Sequence, residues 1–177
     1  AKGAAALDDR LAVFGSAFTS AWSAIQGAKL GLGTFTPADQ PLSDGLFQLM
    51  TPIRADFTHT FAALAASLEL GGVAPLAAQL GDGDAVHDWW RRWQDRLAAP
   101  GEPTAAVLAR LRAANPAIVP RNHQVEAALA AAHAGDLAPF HRLWQACRRP
   151  YDLPTELADL AEAPGEAQWQ YRTFCGT

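Results

Sequence analysis

Apolar residues recur at steps of three and four along most of the chain, the spacing that lines one face of an α-helix. Between Ala5 and Ala28 the stripe is Leu7, Leu11, Phe14, Phe18, Trp22 and Ile25, and Gly31 and Gly33 predict its end. A short helix is expected over residues 39–50, with Leu42, Leu46, Phe47, Leu49 and Met50. Thr51 and Pro52 then read as the cap and first residue of another helix, whose inner stripe is Ile53, Phe57, Phe61, Leu64 and Leu68. Gly71 and Gly72 break the chain, and residues 73–80 make a short helix. Asp84 is placed to cap the next, which should stop at Pro100. It turns Val86, Trp89, Trp90, Trp93 and Leu97 inward and Arg91, Arg92, Asp95 and Arg96 outward. Pro103 and Thr104 start one more, with Val107, Leu108 and Leu111 facing in and Arg110 and Arg112 facing out.

The stretch from Asn115 to Asp152 is the most strongly punctuated. Pro116 and Pro120 push the residues before them into extended geometry, so the lead-in is stiff and non-helical. Asn122 is placed to cap a helix whose Val125, Leu129 and Ala132 pack inward. Gly135 ends it, Asp136 caps a second helix with Pro139 in its first turn, and Pro150 stops that one. Leu137, Phe140, Leu143, Trp144 and Cys147 supply its apolar surface, which makes the pair a helical hairpin. From Asp152 to Glu166 there are acids and no bases, a composition that predicts disorder. The last residues, WQYRTFCGT, turn aromatic and predict an end that docks on a folded surface. Strand-like character is confined to Ala117–Val119, between two prolines. The expected fold is all-α, an irregular assembly of about seven to nine helices over residues 1–161, with an extended C-terminal tail over 162–177 carrying Cys175.

With half of its 177 residues apolar, the chain can bury a sizeable core. A formal charge of −4 gives no general electrostatic reason to bind nucleic acid or an anionic membrane. No apolar run reaches the roughly 20 residues that span a bilayer, and no secretory leader pattern opens the sequence, so a soluble, cytoplasmic protein is expected. Cys147 and Cys175 are too few for a disulfide framework, and reduced thiols are the default. Lys2 and Lys29 are the lysines against a large excess of Arg, which with abundant Ala suggests a GC-rich bacterial coding sequence.

Several local patterns approach known chemical motifs without completing them. Gly31-Leu32-Gly33 lacks the third glycine of a dinucleotide loop, Thr36 standing in its place, and a helix precedes it where a strand is needed. Asp56-Phe57-Thr58 departs from the metal-binding DFG of kinases at its third residue and lies in helical surroundings. His59, His87, His123, His133 and His141 show no HExxH or paired i, i+4 spacing, and no GxSxG elbow accompanies them, so no metal ligand or serine nucleophile is assigned. A Trp-rich, Arg-bearing helix around Trp89–Trp93 has the ingredients of a base-stacking surface, though amphipathic packing explains it as well.

Read in order, the runs KLGL at Lys29–Leu32, ADFT at Ala55–Thr58, NPxxxPRNHxVExAL from Asn115 to Leu129, GDxxPF at Gly135–Phe140, RPYD at Arg149–Asp152 and the terminal YRTFCGT carry a resemblance. They are similar to the C-terminal region of the selenoprotein O (SelO) family, over nearly the whole chain. The resemblance implies a kinase-like, pseudokinase fold for the full enzyme. The implied activity is transfer of AMP from ATP, with Mg or Mn, to hydroxyl groups of other proteins. The Gly-rich loop, paired Lys and Glu, and Asp and Asn metal ligands that such chemistry uses lie N-terminal to the matched region in the family. No catalytic, nucleotide-binding or metal-binding residue is therefore carried onto this chain, and none of these cofactors is expected to bind it alone.

One position does carry over. Family members place a redox-active residue third from the C-terminus, and Cys175 occupies it, implying a reversible disulfide with a cysteine of the kinase-like core. Cys147 would substitute only if its Cα came within about 7 Å of that of Cys175; its place on an apolar face predicts a buried, inert thiol. Arg121, Asn122 and His123 of the signature are expected to cap and interlock, with a substrate-facing role as the lesser reading. The chain starts at Ala1 rather than Met. The reading is the C-terminal, redox-regulatory third of a larger enzyme, partnered in cis by its kinase-like core and in trans by protein substrates. The alternative is a stand-alone helical interaction module using the Trp and Arg face of residues 89–93.

Overall fold

Tryptophans of a single helix sit at the centre of the first part of the molecule. The structure, a computed structural model, describes residues 2–99 and 101–165. Its elements are helical, as expected for an all-α chain: α1 (Lys2–Lys29), α2 (Gln40–Ile53), α3 (Phe57–Leu70), α4 (Ala74–Leu80), α5 (Asp84–Ala98), α6 (Thr104–Ala114), α7 (Asn122–His133) and α8 (Ala138–Cys147). Short 3-10 segments lie at Pro37–Asp39 and Thr155–Ala161. The chain divides into two compact units, Ala1–Ala114 and Asn115–Thr177, a division that the hydrophobic pattern does not announce. The tail expected from residue 162 lies outside the described residues beyond Gly165.

In the first unit α5 behaves as its pattern predicts, with Val86, Trp89, Trp90, Trp93 and Leu97 all buried. A buried indole needs a partner for its N–H. Trp89 Nε1 donates to the Leu42 carbonyl and Trp93 Nε1 to the Leu30 carbonyl, each at 2.8 Å. Leu46 of α2, Phe61 and Leu64 of α3, Leu76 of α4 and Leu111 of α6 close around them. Because the Trp side chains are inside, they offer no stacking platform, and the interaction module expected from the 89–93 face loses its aromatic half.

An ion pair fixes the loop between α1 and α2. Asp39, buried, accepts from Arg96 Nε at 2.5 Å and Nη2 at 3.1 Å, and also from the Thr36 N–H at 2.7 Å and hydroxyl at 2.9 Å. This is a capping box in which the carboxylate reaches back to the residue that opens the turn.

Several expectations for this unit need correction. The α1 stripe is not a core face: Leu11, Phe14, Phe18, Trp22 and Ile25 are all exposed, because only the last turns of the helix meet its neighbours. Thr51-Pro52 does not start a helix but ends α2. Thr51 Oγ1 donates back to the Phe47 carbonyl at 2.7 Å, the proline forfeits one hydrogen bond in the last turn, and Arg54 leaves the helix with φ 52°. The cap of α3 is instead Asp56, whose Oδ1 accepts the His59 N–H at 2.8 Å, and Ile53 and Phe57 stay exposed. Asp84 is the first residue of α5 rather than its cap, a place taken by Gly83; Pro100, its expected stop, lies outside the described residues.

The second unit is built on α7 packed against α8. Its core is Ile118, Ala146, Leu157 and Leu160, with Leu153 and Ala161 against them. Here too the sequence-derived faces are rotated. Ala128 is buried while Leu129 is exposed, and on α8 Leu143 and Ala146 are buried while Leu137, Phe140 and Trp144 are exposed. The acidic run, expected to be disordered, forms the Thr155–Ala161 3-10 segment. Its i, i+3 pair Leu157 and Leu160 points inward together, as 3-10 geometry allows. Arg142 offsets the charge repulsion by donating to the Glu156 carbonyl at 3.2 Å and to Asp159 Oδ1 at 2.8 Å.

Candidate functional site

In the first unit the KLGL and ADFT runs meet. Lys29, at the end of α1, places its Nζ 5.2 Å from the ring centroids of both Phe57 and Phe61 and donates to the Ala114 carbonyl at 3.3 Å. The ammonium thus sits over two aromatic faces and at the C-terminal end of α6, both of which favour a cation. Burial pushes the lysine amine below its ordinary pKa. The next carbonyls of the run are claimed in turn: Leu30 by Trp93 and Gly31 by Arg110 Nη1 at 2.5 Å. Arg110, expected to face out, is half-buried because it also pairs with Glu102, and that pairing holds the Glu102 carboxyl below the ordinary range. KLGL is therefore a structural knot. Lys29 is engaged in holding α1, α3 and α6 together.

Gly31 is the tightest point of the knot. Its φ is +73°, and a Cβ there would lie 2.9 Å from Leu111 Cγ and 3.0 Å from Val107 Cγ1. Replacing it by alanine combines left-handed strain with a core clash, a cost of at least about 1–3 kcal/mol. Gly31→Ala is expected to lower the thermal midpoint followed by circular dichroism, whereas Gly72→Ala, where a Cβ meets nothing within 4 Å, should leave it within about 2 °C.

In the second unit the PRNH and RPYD signatures are clamped by backbone. The Ala117 and Ile118 N–H groups both donate to the Pro150 carbonyl, at 2.7 and 3.2 Å, so the lead-in to α7 lies alongside the exit from α8. Arg121 stands at the N-cap of α7 in extended geometry and donates Nη2 to the Ala161 carbonyl at 3.4 Å. Asn122, expected to be the cap, is instead the first helical residue and exposed, because the extended backbone that a cap needs falls one residue earlier. His123 is half-buried on the same turn. Asp136, expected to cap α8, stands one residue before the cap, which is Leu137, although its Oδ1 accepts the Ala138 N–H at 2.9 Å. Arg142, which ties down the acidic segment, carried a signal that the sequence reading passed over: a base on the helix just ahead of a base-free acidic run.

The predicted chemistry does not converge elsewhere among the described residues. A groove of about 640 Å³ between α2 and α5 is lined by Gly45, Gln48, Asp88, Arg91, Arg92 and Asp95 among others. Acids and bases alternate there, and Arg91 pairs with Asp88, so neither sign dominates. No three His, Cys, Asp or Glu side chains among the described residues are grouped to hold a metal ion. His87 pairs with Asp82 at 2.6 Å. Cys147 is half-buried with its thiol pKa pushed up by burial, the environment of an unreactive cysteine. Cys175 lies outside the described residues. No helix among those described is long and apolar enough to cross a membrane.

The chain is similar to known proteins along most of its length. The family described as protein adenylyltransferase SelO matches residues 3–148. The chain belongs to the SelO family. Its relatives include proteins named protein nucleotidyltransferase YdiU. That of Cereibacter sphaeroides is 45% identical over 172 residues, covering 94% of this chain and 33% of the relative. That of Bradyrhizobium is 40% identical over 165 residues, covering 93% and 34%. That of Geobacillus kaustophilus is 41% identical over 157 residues, covering 88% and 31%. The chain thus spans about a third of the length of the curated SelO relatives it matches. Within that third, the KLGL, ADFT, PRNH and RPYD runs map onto the knot and the clamp described above, positions that fix helices.

Proposed function

We propose that this chain is the C-terminal, helical and redox-regulatory part of a SelO enzyme that transfers AMP from ATP to hydroxyl groups of other proteins, its kinase-like catalytic core lying upstream in the longer polypeptide. The observation that supports this reading is the coverage: nearly all of the chain matches about a third of each relative. The family's signature runs within it are spent on packing. In the full enzyme the core supplies ATP and Mg or Mn binding, and this part buttresses it. Cys175 forms a reversible disulfide with a cysteine of that core, and Arg121, Asn122 and His123 mark the end of α7 nearest the clamp.

The experiment is an AMP-transfer assay. Purified 177-residue chain incubated with labelled ATP and Mg or Mn is expected to incorporate no label, while the full-length gene product does. Peptide mapping of the oxidised full-length protein should recover Cys175 in a disulfide. Label on the chain alone would overturn the assignment of catalysis to the upstream core, and a free Cys175 under conditions that oxidise comparable thiols would overturn its redox role.

A further inference from the structure

From Leu11 to Ala28 the chain carries no Asp, Glu, Lys or Arg. Those residues form most of α1, and every described side chain from Val13 to Trp22 is exposed. Leu11, Phe14, Phe18, Trp22 and Ile25 make a continuous stripe, 43–67% exposed, with the Phe14–Phe18 and Phe18–Trp22 rings stacked at 6.2 and 6.3 Å. Val13, 68% exposed, lies well away from that stripe around the helix. The polar residues between do not dress the surface for water: Ser16 and Thr19 turn their hydroxyls back onto the Val13 and Gly15 carbonyls. An uncharged stretch of helix with aromatic residues on one face and Ala, Gly and Ser on the rest has the composition of a helix buried among others. The five stripe residues expose on the order of 500 Å², a large part of the roughly 800 Å² that one side of a stable interface buries.

We infer that the Leu11–Ile25 stretch of α1 is the docking seat, in cis, for an uncharged apolar surface on the polypeptide that SelO relatives carry beyond the third matched here. The inference rests on the reading above that this chain is part of a longer enzyme. The length supports it, since twice as much polypeptide as this chain remains to be placed in each relative. The all-round exposure supports it as well, because a surface that covers both Phe14 and Val13 must wrap the helix. A second copy pairing through a two-fold axis would cover one stripe only. A bilayer surface is disfavoured because no base lies within Leu11–Ala28 to meet lipid head groups, and Lys29, which follows it, is turned to the Ala114 carbonyl.

Hydrogen exchange read by mass spectrometry on peptides spanning residues 11–25 tests this, comparing the 177-residue chain with the full-length gene product. The expected result is exchange at least about tenfold slower in the full-length protein. Phe18→Asp with Trp22→Asp should abolish that protection while leaving the thermal midpoint of the 177-residue chain within about 2 °C, since neither side chain is buried in it. Equal exchange in both proteins, with the full-length protein still transferring AMP, overturns the docking seat and leaves the proposed function standing. Protection of the short chain that grows with its concentration, or on adding phosphatidylcholine vesicles, overturns it in favour of a second copy or a lipid surface. A gene that encodes no further polypeptide removes both readings.

Discussion

Trp93→Ala is expected to destabilise the first unit by about 3–5 kcal/mol, the range for removing a large buried aromatic side chain. Trp93 is completely buried, stacks on Trp89 at 5.8 Å and meets the tilted ring of Trp90 at 5.0 Å. Its indole N–H is the partner of the Leu30 carbonyl, so truncation leaves both a cavity and a buried acceptor without its donor. A loss of that size should lower the midpoint of this unit's thermal transition by more than about 10 °C. Trp144→Ala is the control, because Trp144 is 49% exposed and its Arg148 contact, at 4.7 Å, is a surface cation–π pair worth about 0.5–1 kcal/mol. Similar midpoints for the two variants would contradict the central place given to α5.

The second large effect concerns Asp39. Burial alone would raise its pKa, but the hydrogen bonds from Arg96 and Thr36 outweigh burial and hold the carboxyl below the ordinary aspartate value. A carboxyl with a depressed folded pKa binds protons more weakly in the folded than in the unfolded state. Its contribution is therefore complete above the unfolded value of about 3.9 and is lost as pH falls through the lower folded value. Asp39→Asn should cost about 2–3 kcal/mol at neutral pH, below the full penalty for breaking a buried pair because Arg96 is 28% exposed and can be rehydrated. Urea melts of wild type and variant between pH 7 and pH 2.5 check this: the gap should stay constant down to about pH 4 and narrow below it. A gap that widens on acidification would show that the sign is wrong.

How legible these features were in the sequence depended on where each helix finds its neighbours. The α5 stripe could be read residue by residue because Val86, Trp89, Trp90, Trp93 and Leu97 have partners on every side within one unit. The same spacing in α1 gave the helix but not its burial, since periodicity reports a face and not what covers it. Cap residues failed by one position at Asn122, Asp84 and Asp136, where backbone geometry chose Arg121, Gly83 and Leu137 over the better side-chain acceptor. The acidic segment misled because composition counts charges without seeing Arg142 opposite them or Leu157 and Leu160 beneath. Among the candidate site residues, the motifs were recognisable as a family signature. Their physical role in backbone clamping was not, because the bonds at Ala117 and Ile118 belong to main-chain atoms that any sequence supplies.

That clamp also has a kinetic meaning. α7 and α8 are of similar length, 12 and 10 residues, and lie against each other, so folding the hairpin returns the chain close to where it began. The Pro150 carbonyl is thereby delivered to Ala117 and Ile118 by neighbouring helices rather than by a search through open chain. Helix formation takes about 0.1–1 μs and short-loop closure about 10–100 ns, and a contact prepared by them adds little loop entropy of its own. The stretch carrying the family's signature is thus a short-range closure, one that a growing chain completes as soon as residue 150 is available.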